Sequence, residues 1–335
     1  MKFNILDHLP PGLLETPATE LYKILPGPTL IHLKGKKKDP LFLSCLVHGN
    51  ETTGLLAVQA LLKKYSNSEL PRSISLFFGN VLAAKEGRRH LDHQPDFNRI
   101  WKMGDSDENK IAQRVLDEMR SREVFASVDI HNNTGRNPHY ACMTRLDDKT
   151  LNMVRLFSKI GLYFPTVTGT LTDAFSELCP AVTLESGQPG LVAGTLHAME
   201  YADMILNLDS IPENSSWHKD LQVMDIAATI KVPTEASVGL GDEESDICFV
   251  DDFDLFNFTE VKPGTLWGRI NKKSDISNSL EISRCHGTDT EDLFSYADGE
   301  IRNQVPIIPA MITLDRRILK SDCVGYIMRR MNTVE

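Results

Sequence analysis

Apolar runs and helical periodicity alternate along the first two thirds of the chain. The almost continuous apolar run 41–47 predicts a strand that is buried on both faces, and apolar positions at helical spacing follow over 53–65. The alternation continues, with strands predicted at 73–78, 124–130, 139–143, 162–167 and 180–184 and helices at 108–122, 150–160 and 195–208. Strands that alternate with helices predict an α/β fold, with a mixed, mostly parallel sheet flanked by helices.

The pattern changes after residue 208. Residues 209–216 are mostly polar and include three serines and one proline, which is typical of a linker. Beyond them helical periodicity is weak, and short β-like runs recur between Gly, Pro and Asp, at 227–232, 247–250, 265–270 and 305–314. We therefore predict two domains, a larger one over 1–212 and a smaller β-rich one over 213–335.

Composition and charge narrow the function classes. The 335 residues are 41% hydrophobic and 24% charged, with a formal net charge of −10, which argues against binding of nucleic acid through a general basic surface. The lysine-rich run 34–38 indicates a solvated hairpin turn rather than a binding patch. There is no apolar run of about 20 residues that could span a membrane, nor an apolar segment of the signal-peptide type at the start, so we expect a cytoplasmic protein without membrane contacts. The six scattered cysteines suit reduced thiols.

Two metal-ligand residue types meet where the first buried strand ends. His48 closes the apolar run, and Glu51 follows three residues later, where the helical pattern begins. His131 closes another predicted strand, and open α/β sheets bind ligands at the carboxyl ends of their strands. A catalytic zinc needs three protein ligands and an open fourth position. The two imidazoles and the carboxylate therefore predict a zinc site, although an HxxE pair alone often occurs by chance.

Two further carboxylates belong to the same predicted edge. Asp129 lies two residues before His131, on the same side of the strand, where it can hold a ligand imidazole in the correct tautomer or cap a local turn instead. Glu185 ends the predicted strand 180–184 and precedes a glycine-containing turn. It is a candidate general base, or an ordinary exposed glutamate at a strand end.

The long connection 81–101 carries Arg88, Arg89 and Arg99 in an acidic protein. Arginine binds carboxylates bidentately and can stabilise an oxyanion, so this loop is a candidate site for an anionic substrate group. The equally good alternative is that these arginines form surface ion pairs with Asp92 and Asp96.

The combined motifs resemble those of the succinylglutamate desuccinylase/aspartoacylase family, a branch of the zinc carboxypeptidase superfamily. They cover roughly residues 40–200 in the family's order: His48-Gly-Asn-Glu51, Gly79-Asn80, Arg89-His-Leu-Asp92, Asp96-Phe-Asn-Arg99, Asp129-Ile-His131 and Thr183-Leu-Glu-Ser-Gly187. The resemblance implies a zinc-carboxypeptidase-like fold with a catalytic domain over 1–212, a β-domain after it, and one zinc ion in each subunit. It also implies hydrolysis of N-acyl amino acids by a metal-activated water, and a homodimer.

The resemblance also implies roles for individual residues. His48, Glu51 and His131 match the zinc ligands. Glu185 matches the proton-shuttling base and Arg89 the arginine that polarises the scissile carbonyl. The residues that match or neighbour the anion-binding positions, and that we expect to bind the small anionic substrate, are Asn98, Arg99 and Arg88.

The sequence departs from the family pattern at specific positions. Aspartoacylases place an arginine for the side-chain carboxylate of the substrate about ten residues before the catalytic glutamate, where this chain has Phe175. The loop between Arg89 and Asn98 is also about two residues longer than the family pattern. Two alternatives stay open, a zinc carboxypeptidase acting on small peptides or cell-wall fragments and a non-catalytic binding module with the same fold.

Overall fold

The computed structural model describes residues 2–214, 218–241, 244–271, 279–284 and 292–331. The chain forms two compact units. Unit 1 comprises Met1–Asn132 and His139–Gln222, and unit 2 comprises Asn133–Pro138 and Val223–Glu335. The predicted division between 212 and 213 did not place the short segment 133–138 with the C-terminal strands.

Unit 1 is a mixed, mostly parallel sheet with helices, as predicted. Its strands are β1 (Asn4–Leu6), β2 (Thr29–Leu33), β3 (Gly35–Cys45), β4 (Leu70–Phe78), β5 (Ala126–His131), β6 (Tyr140–Met143), β7 (Ile160–Tyr163) and β8 (Ala181–Glu185). Their order in the sheet is β1-β2-β4-β3-β5-β8-β6-β7. The helices are α1 (Thr53–Lys64), α2 (Val81–Lys85), α3 (Asp107–Arg120), α4 (Asp148–Phe157), α5 (Leu171–Ser176) and α6 (Val192–Asn207).

Four neighbouring strands in the middle of the sheet are parallel. The pairs β4·β3, β3·β5 and β5·β8 all run in the same direction, so the carboxyl ends of β3, β5 and β8 lie at one edge. Every residue of β5 and β8 is buried, which explains why these strands are apolar over most of their length. The polar exceptions, Asp129, His131 and Glu185, lie at or near the carboxyl ends.

The lysine-rich run 34–38 is not a hairpin turn, so that prediction is wrong. Strand β2 pairs with β4 in antiparallel fashion and β3 pairs with the other edge of β4, so β2 and β3 are not neighbours. Gly35 begins β3, and a Cβ there would lie 2.4 Å from the backbone of Arg72. The lysines at 34, 36 and 38 are exposed, as predicted for a solvated run.

The segment 1–40, which the sequence predicts to be irregular or to contain short strands, holds β1 and β2. Two short helices were not predicted: the connection 81–101 begins with the five-residue helix α2, and α5 has six residues. Such lengths are too short to produce a recognisable helical period. They form because local groups cap them, as when the Asn80 side chain accepts from the backbone N–H of Ala83 at the start of α2.

Unit 2 is β-rich, as predicted. Its strands are β9 (Gln222–Lys231, beginning at the last residue of unit 1), β10 (Val238–Leu240), β11 (Ile247–Phe249), β12 (Leu266–Ile270), β13 (Glu281–Arg284), β14 (Phe294–Ser295), β15 (Glu300–Asn303), β16 (Ile308–Ala310) and β17 (Gly325–Arg330). Five of them form a sheet in the order β10-β11-β12-β15-β14, and the others pair as β13-β9-β17-β16. A short helix, α7 (Arg316–Ser321), precedes β17. Trp267, Phe249 and Phe253 lie in the core of this unit.

The segment 133–138 is tied firmly into unit 2. The Asn257 amide donates to the carbonyls of Ile312 (2.9 Å) and Arg136 (3.3 Å), and its Oδ1 accepts from the Ile312 backbone N–H at 2.9 Å. A Cβ at Gly135 would lie 1.7 Å from the Ile312 carbonyl oxygen, so only glycine allows this close approach.

The structure also bears on two predictions, the absence of a membrane-spanning segment and the reduced state of the cysteines. In the part of the chain that the structure describes, no helix is both long and apolar enough to cross a membrane. Reduced thiols are present at the five described cysteines, as predicted, while Cys285 and residues 215–216 of the predicted linker lie outside the described residues.

Candidate metal centre

The turn after β3 aims His48 and Glu51 at the same point. Leu46 adopts a left-handed conformation (φ 54°), which redirects the chain directly after the strand. The backbone N–H of Asn80 donates to the Leu46 carbonyl at 2.6 Å and holds this bend. Two residues later His48 is buried, and Glu51 precedes α1 by two residues.

Gly49, inside the His48–Glu51 motif, lets the arginine-bearing loop approach. Its backbone N–H donates to the Arg89 carbonyl at 3.0 Å. A Cβ at Gly49 would lie 2.2 Å from the backbone nitrogen of Ala84 and 2.7 Å from the Arg88 carbonyl oxygen. Any other residue here would therefore push Arg89 away from the site.

His48, Glu51 and His131 converge in a buried cluster. The Glu51 carboxylate lies between the two imidazoles: Oε1 is 2.8 Å from His48 Nδ1, and Oε2 is 2.7 Å from His131 Nδ1. One candidate ligand atom from each residue lies within 4.8 Å of the others. The group could hold a metal ion, and two imidazoles with one carboxylate are a donor set that suits zinc.

A carboxylate lies within hydrogen-bond distance of Nε2 of each imidazole, the ring nitrogen that does not face Glu51. Asp129 Oδ2 lies 2.7 Å from His131 Nε2, and the Ser44 hydroxyl donates to the other oxygen of Asp129. Asp96 Oδ1 lies 3.0 Å from His48 Nε2. With Nε2 engaged in both rings, Nδ1 is the atom of each ring that can face a metal.

The electrostatic balance of the cluster follows from its burial and its alternating charges. Burial by itself lowers the pKa of His48 and of His131, but the neighbouring carboxylates outweigh it and raise the pKa of both. Burial raises the pKa of Glu51, but the two imidazoles outweigh that effect and lower it.

Glu185 lies beside His131 on the neighbouring strand. In the parallel pair β5·β8, His131 is the register partner of Glu185, and in the antiparallel pair β6·β8 Tyr140 is. Register partners on adjacent strands point to the same face of a sheet, with strand axes about 4.8 Å apart. The structure thus places the Glu185 carboxylate, which is buried, on the same face of the sheet as the cluster.

Arg89 is the arginine of the loop that lies at the cluster. Its guanidinium donates to Asp96 Oδ2 (3.0 Å from Nη2), and Nη1 lies 3.6 Å from Glu51 Oε1. Asp96 therefore uses one oxygen for His48 and the other for Arg89. Arg88 instead forms an exposed ion pair with Asp92, as the surface-pair alternative expects.

Asn98 and Arg99 lie where the loop leads toward α5. The Asn98 Oδ1 accepts from the backbone N–H of Leu171 at 3.0 Å, at the start of α5. The Arg99 side chain is exposed and donates to the Asn98 carbonyl at 2.9 Å. The loop is ordered in part by Gln94, whose Oε1 accepts from the buried Asn80 amide at 2.9 Å.

Phe175, at the position where aspartoacylases place an arginine, belongs to the core. Its ring is fully buried and stacks on Phe42 with 4.1 Å between ring centroids, and Trp101 lies 6.0 Å away. The side chain at this position thus packs into an aromatic cluster.

Three residues at the cluster were missed by sequence reasoning. The sequence predicts Asp96 as an arginine partner and as part of a family motif, and it predicts no role for Ser44 or Asn132. Asn132 could have been suspected because it directly follows a predicted ligand, and Ser44 because it is a polar residue inside an apolar run. Nothing in the sequence pairs Asp96 with His48, which is 48 residues away.

A family model supports the reading of the motifs. The model described as succinylglutamate desuccinylase/aspartoacylase catalytic domain matches residues 37–206, which is half of the chain. Among curated protein sequences, none matches this chain.

Solved structures show the same fold at low sequence identity. A crystal structure of succinylglutamate desuccinylase/aspartoacylase from Rhodobacter sphaeroides is 14% identical, with a TM-score of 0.60, over 90% of this chain and 88% of that chain. A succinylglutamate desuccinylase from Chromobacterium violaceum is 16% identical, with a TM-score of 0.57, over 89% and 86%. Murine aminoacylase 3 is 14% identical, with a TM-score of 0.55, over 88% and 96%.

Proposed function

Since the chain belongs to the succinylglutamate desuccinylase/aspartoacylase family, we propose that it is a zinc-dependent amidohydrolase that cleaves the amide bond of N-acyl amino acids. The observation that carries the proposal is the convergence of His48 and His131 Nδ1 on the two oxygens of Glu51, in a buried position. A cluster built only for stability would not need two buried imidazoles, each held at the far nitrogen by its own carboxylate.

His48, Glu51 and His131 are the residues that would hold one zinc ion in each subunit. When bound, zinc would polarise the amide carbonyl and lower the pKa of water at its open position. Asp129 and Asp96 would keep the two imidazoles oriented, because each accepts from the nitrogen that faces away from the metal.

Glu185 is the general base in this proposal. It takes a proton from the attacking water as oxygen adds to the amide carbon, and it delivers a proton to the amine nitrogen as the carbon–nitrogen bond breaks. Arg89 stabilises the negative charge that develops on the amide oxygen. Its position 3.6 Å from Glu51 Oε1 supports this role.

Asn98 and Arg99 bind the α-carboxylate of the amino acid, and the exposed Arg99 guanidinium has the freedom to reach it. Arg88, paired with Asp92, would have to exchange that ion pair for a substrate carboxylate. The proposed substrate is small and anionic. We also expect the native protein to be a cytoplasmic homodimer.

The proposal is tested by the release of free amino acid from a panel of N-acetyl, N-formyl and N-succinyl amino acids, with and without a chelator. We expect chelator-sensitive release from one subset, which would also identify the acyl group and the side chain. Release from dipeptides alone would instead support the zinc carboxypeptidase. Bound zinc without hydrolysis of either class would contradict both enzymes and favour a binding module.

A matched pair of variants tests the role of Glu185. Glu185→Gln should keep its zinc and lose most of its turnover, because the change removes a proton acceptor and leaves the shape of the side chain. Glu200→Gln, an exposed position on α6, is the control and should keep full turnover. Unchanged turnover of Glu185→Gln with zinc bound would exclude Glu185 as the base.

A further inference from the structure

Asn132 makes hydrogen bonds to two of the three segments that surround the cluster and is covalently attached to the third. It is buried and directly follows His131. Its backbone N–H donates to Glu51 Oε2 at 3.2 Å. Its side-chain Oδ1 accepts from the Thr53 backbone N–H at 3.1 Å, and its Nδ2 donates to Thr53 Oγ1 and to the Gly187 carbonyl, both at 2.8 Å.

The bonds to Thr53 secure the start of α1. The first N–H groups of a helix have no partner within the helix and need one from elsewhere. Among the described residues, the Thr52 side chain at the N-cap position makes no capping bond, so the Asn132 amide serves as the cap from a neighbouring strand. Because α1 begins two residues after Glu51, fixing its start also fixes the direction from which Glu51 enters the cluster.

The bond to Gly187 secures the turn after Glu185. Gly187 lies two residues beyond Glu185 and has φ of 73°, a conformation that glycine adopts at low cost. A Cβ at this position would lie 3.2 Å from His139 Nε2, so the turn is also tightly packed. The Asn132 amide therefore holds the backbone just past the candidate base.

We propose that Asn132 is a positioning residue that braces the Glu51 segment against the Glu185 turn, so that the metal ligand and the base keep a constant separation. The proposal rests on the proposed function for the role of Glu185, but the brace itself is a property of the chain. Only an amide can supply one acceptor and two donors at this point. A carboxylate could accept from Thr53 but could not donate to the Gly187 carbonyl.

The test compares Asn132→Leu with Asn152→Leu as a matched control. Asn152 is an equally buried asparagine of unit 1 on α4, and its Nδ2 donates to the carbonyls of Pro212 (2.9 Å) and Asn214 (3.3 Å). Each variant is measured for its zinc dissociation constant by chelator competition, for hydrogen exchange of the metal-free protein over residues 52–56, for thermal stability, and for kcat and KM separately.

We expect Asn132→Leu to weaken zinc binding about 10-fold and to lower kcat by about 10- to 100-fold, with KM changed less. Exchange over 52–56 should become faster. Asn152→Leu should lose as much thermal stability and leave zinc affinity, kcat and exchange at 52–56 within about twofold. Equal effects of the two variants on kcat and zinc, or none in a folded Asn132→Leu, would overturn the proposal.

Asn132→Asp is the second variant, in case Asn132→Leu fails to fold. It keeps an acceptor for the Thr53 backbone N–H and removes the donor to the Gly187 carbonyl and to Thr53 Oγ1. The Thr53 hydroxyl can donate to the new carboxylate instead, so kcat should fall about 10-fold without loss of zinc affinity. Unchanged kcat would exclude the brace to the base. If the wild-type protein binds zinc and hydrolyses nothing, the proposed function fails, while the zinc and exchange measurements still decide whether Asn132 orders the start of α1.

Discussion

The two histidines of the candidate metal centre are held by carboxylates of very different origin. Asp129 lies on the same strand as His131, two residues before it, is fully buried and accepts from Ser44. Asp96 comes from a loop 48 residues after His48, with a side chain 20% exposed, and divides its two oxygens between His48 and Arg89. One histidine is therefore oriented by strand geometry and the other by loop packing.

Because of this difference, we expect substitutions around the two histidines to have different effects on metal affinity and on turnover. A rigid strand with a buried carboxylate gives His131 a constant orientation. Asp96 links a candidate metal ligand to the arginine proposed to stabilise the oxyanion, so a change in the loop would act on both. We expect changes on the His131 side to affect mainly metal affinity, and changes on the His48 side to affect turnover as well.

Glu51→Gln should have the largest effect because the Glu51 carboxylate lies between both imidazoles. We expect zinc affinity to fall on the order of 1000-fold, equivalent to about 4 kcal/mol. Chelator competition would measure this loss, with exposed Glu86→Gln as the control. A zinc affinity within threefold of the wild type would exclude Glu51 as a ligand.

Asp129→Asn should weaken zinc binding by about 10- to 100-fold, since a carboxylate that orients a ligand imidazole typically contributes that much. KM should change little, because Asp129 is fully buried beneath the cluster. Ser44→Ala removes only the support of Asp129 and should have a smaller effect in the same direction. If Ser44→Ala lost more zinc affinity than Asp129→Asn, the proposed series of hydrogen bonds from Ser44 through Asp129 to His131 would be wrong.

Asp96→Asn should weaken zinc binding by at most about 10-fold, because its partly exposed carboxylate is screened by solvent. It should also lower kcat, since the carboxylate that accepts from the Arg89 guanidinium is replaced by a neutral amide. The comparison of the two sides is refuted if Asp96→Asn costs more zinc affinity than Asp129→Asn. Asp92→Asn, which affects only the Arg88 ion pair, serves as the loop control.

His32 differs from His48 and His131 because its ring nitrogen contacts a hydroxyl instead of a carboxylate. Its Nδ1 lies 2.8 Å from the Ser75 Oγ, and burial, followed by Arg122, lowers the pKa of His32 to about 4. The unfolded chain, with an ordinary histidine pKa near 6.5, then binds more protons between pH 6.5 and 4. Stability should therefore fall as the pH falls through this range, by about 2 kcal/mol between pH 7 and pH 5.

Urea unfolding at several pH values measures this effect. His32→Gln should remove that part of the pH dependence, and exposed His8→Gln should leave it unchanged. The same slope in His32→Gln and in the wild type would show that other groups cause it.

Much of the α/β unit followed from local sequence patterns. The observed bounds of β5, β8, α1, α3, α4 and α6 agree with the predicted ones within three residues, whereas β3 begins six residues before the predicted strand 41–47. Their lengths and periods are strong signals because burial of whole strands and helix faces dominates the free energy of folding. The short helices α2 and α5 and the pairing of β2 with β4 depend on caps and partners far away in sequence.

The candidate site shows the same limit in finer detail. Asp129-Ile-His131 could be predicted as a pair because residues two apart on a strand share a face. Arg88 and Arg89 are neighbours of equal chemistry, yet one forms an exposed pair with Asp92 and the other lies beside Glu51. The Gly49 backbone N–H donates to the Arg89 carbonyl. This tertiary contact, and not the chemistry of the two side chains, distinguishes the environment of Arg89 from that of Arg88.

The sequence by itself determined the fold class, the candidate ligands His48, Glu51 and His131, and the candidate base Glu185. The apolar pattern marks His48, His131 and Glu185 as strand ends, and Glu51 follows His48 at the start of a helical pattern. Only the tertiary structure decided which carboxylate holds His48, which arginine reaches the cluster, and that Asn132 ties α1 to the turn after Glu185. The burial of a strand and the helical period of a segment are determined by residues that are neighbours in sequence. Contacts between loops depend on where the strands bring distant segments together, and that information is distributed over the whole chain.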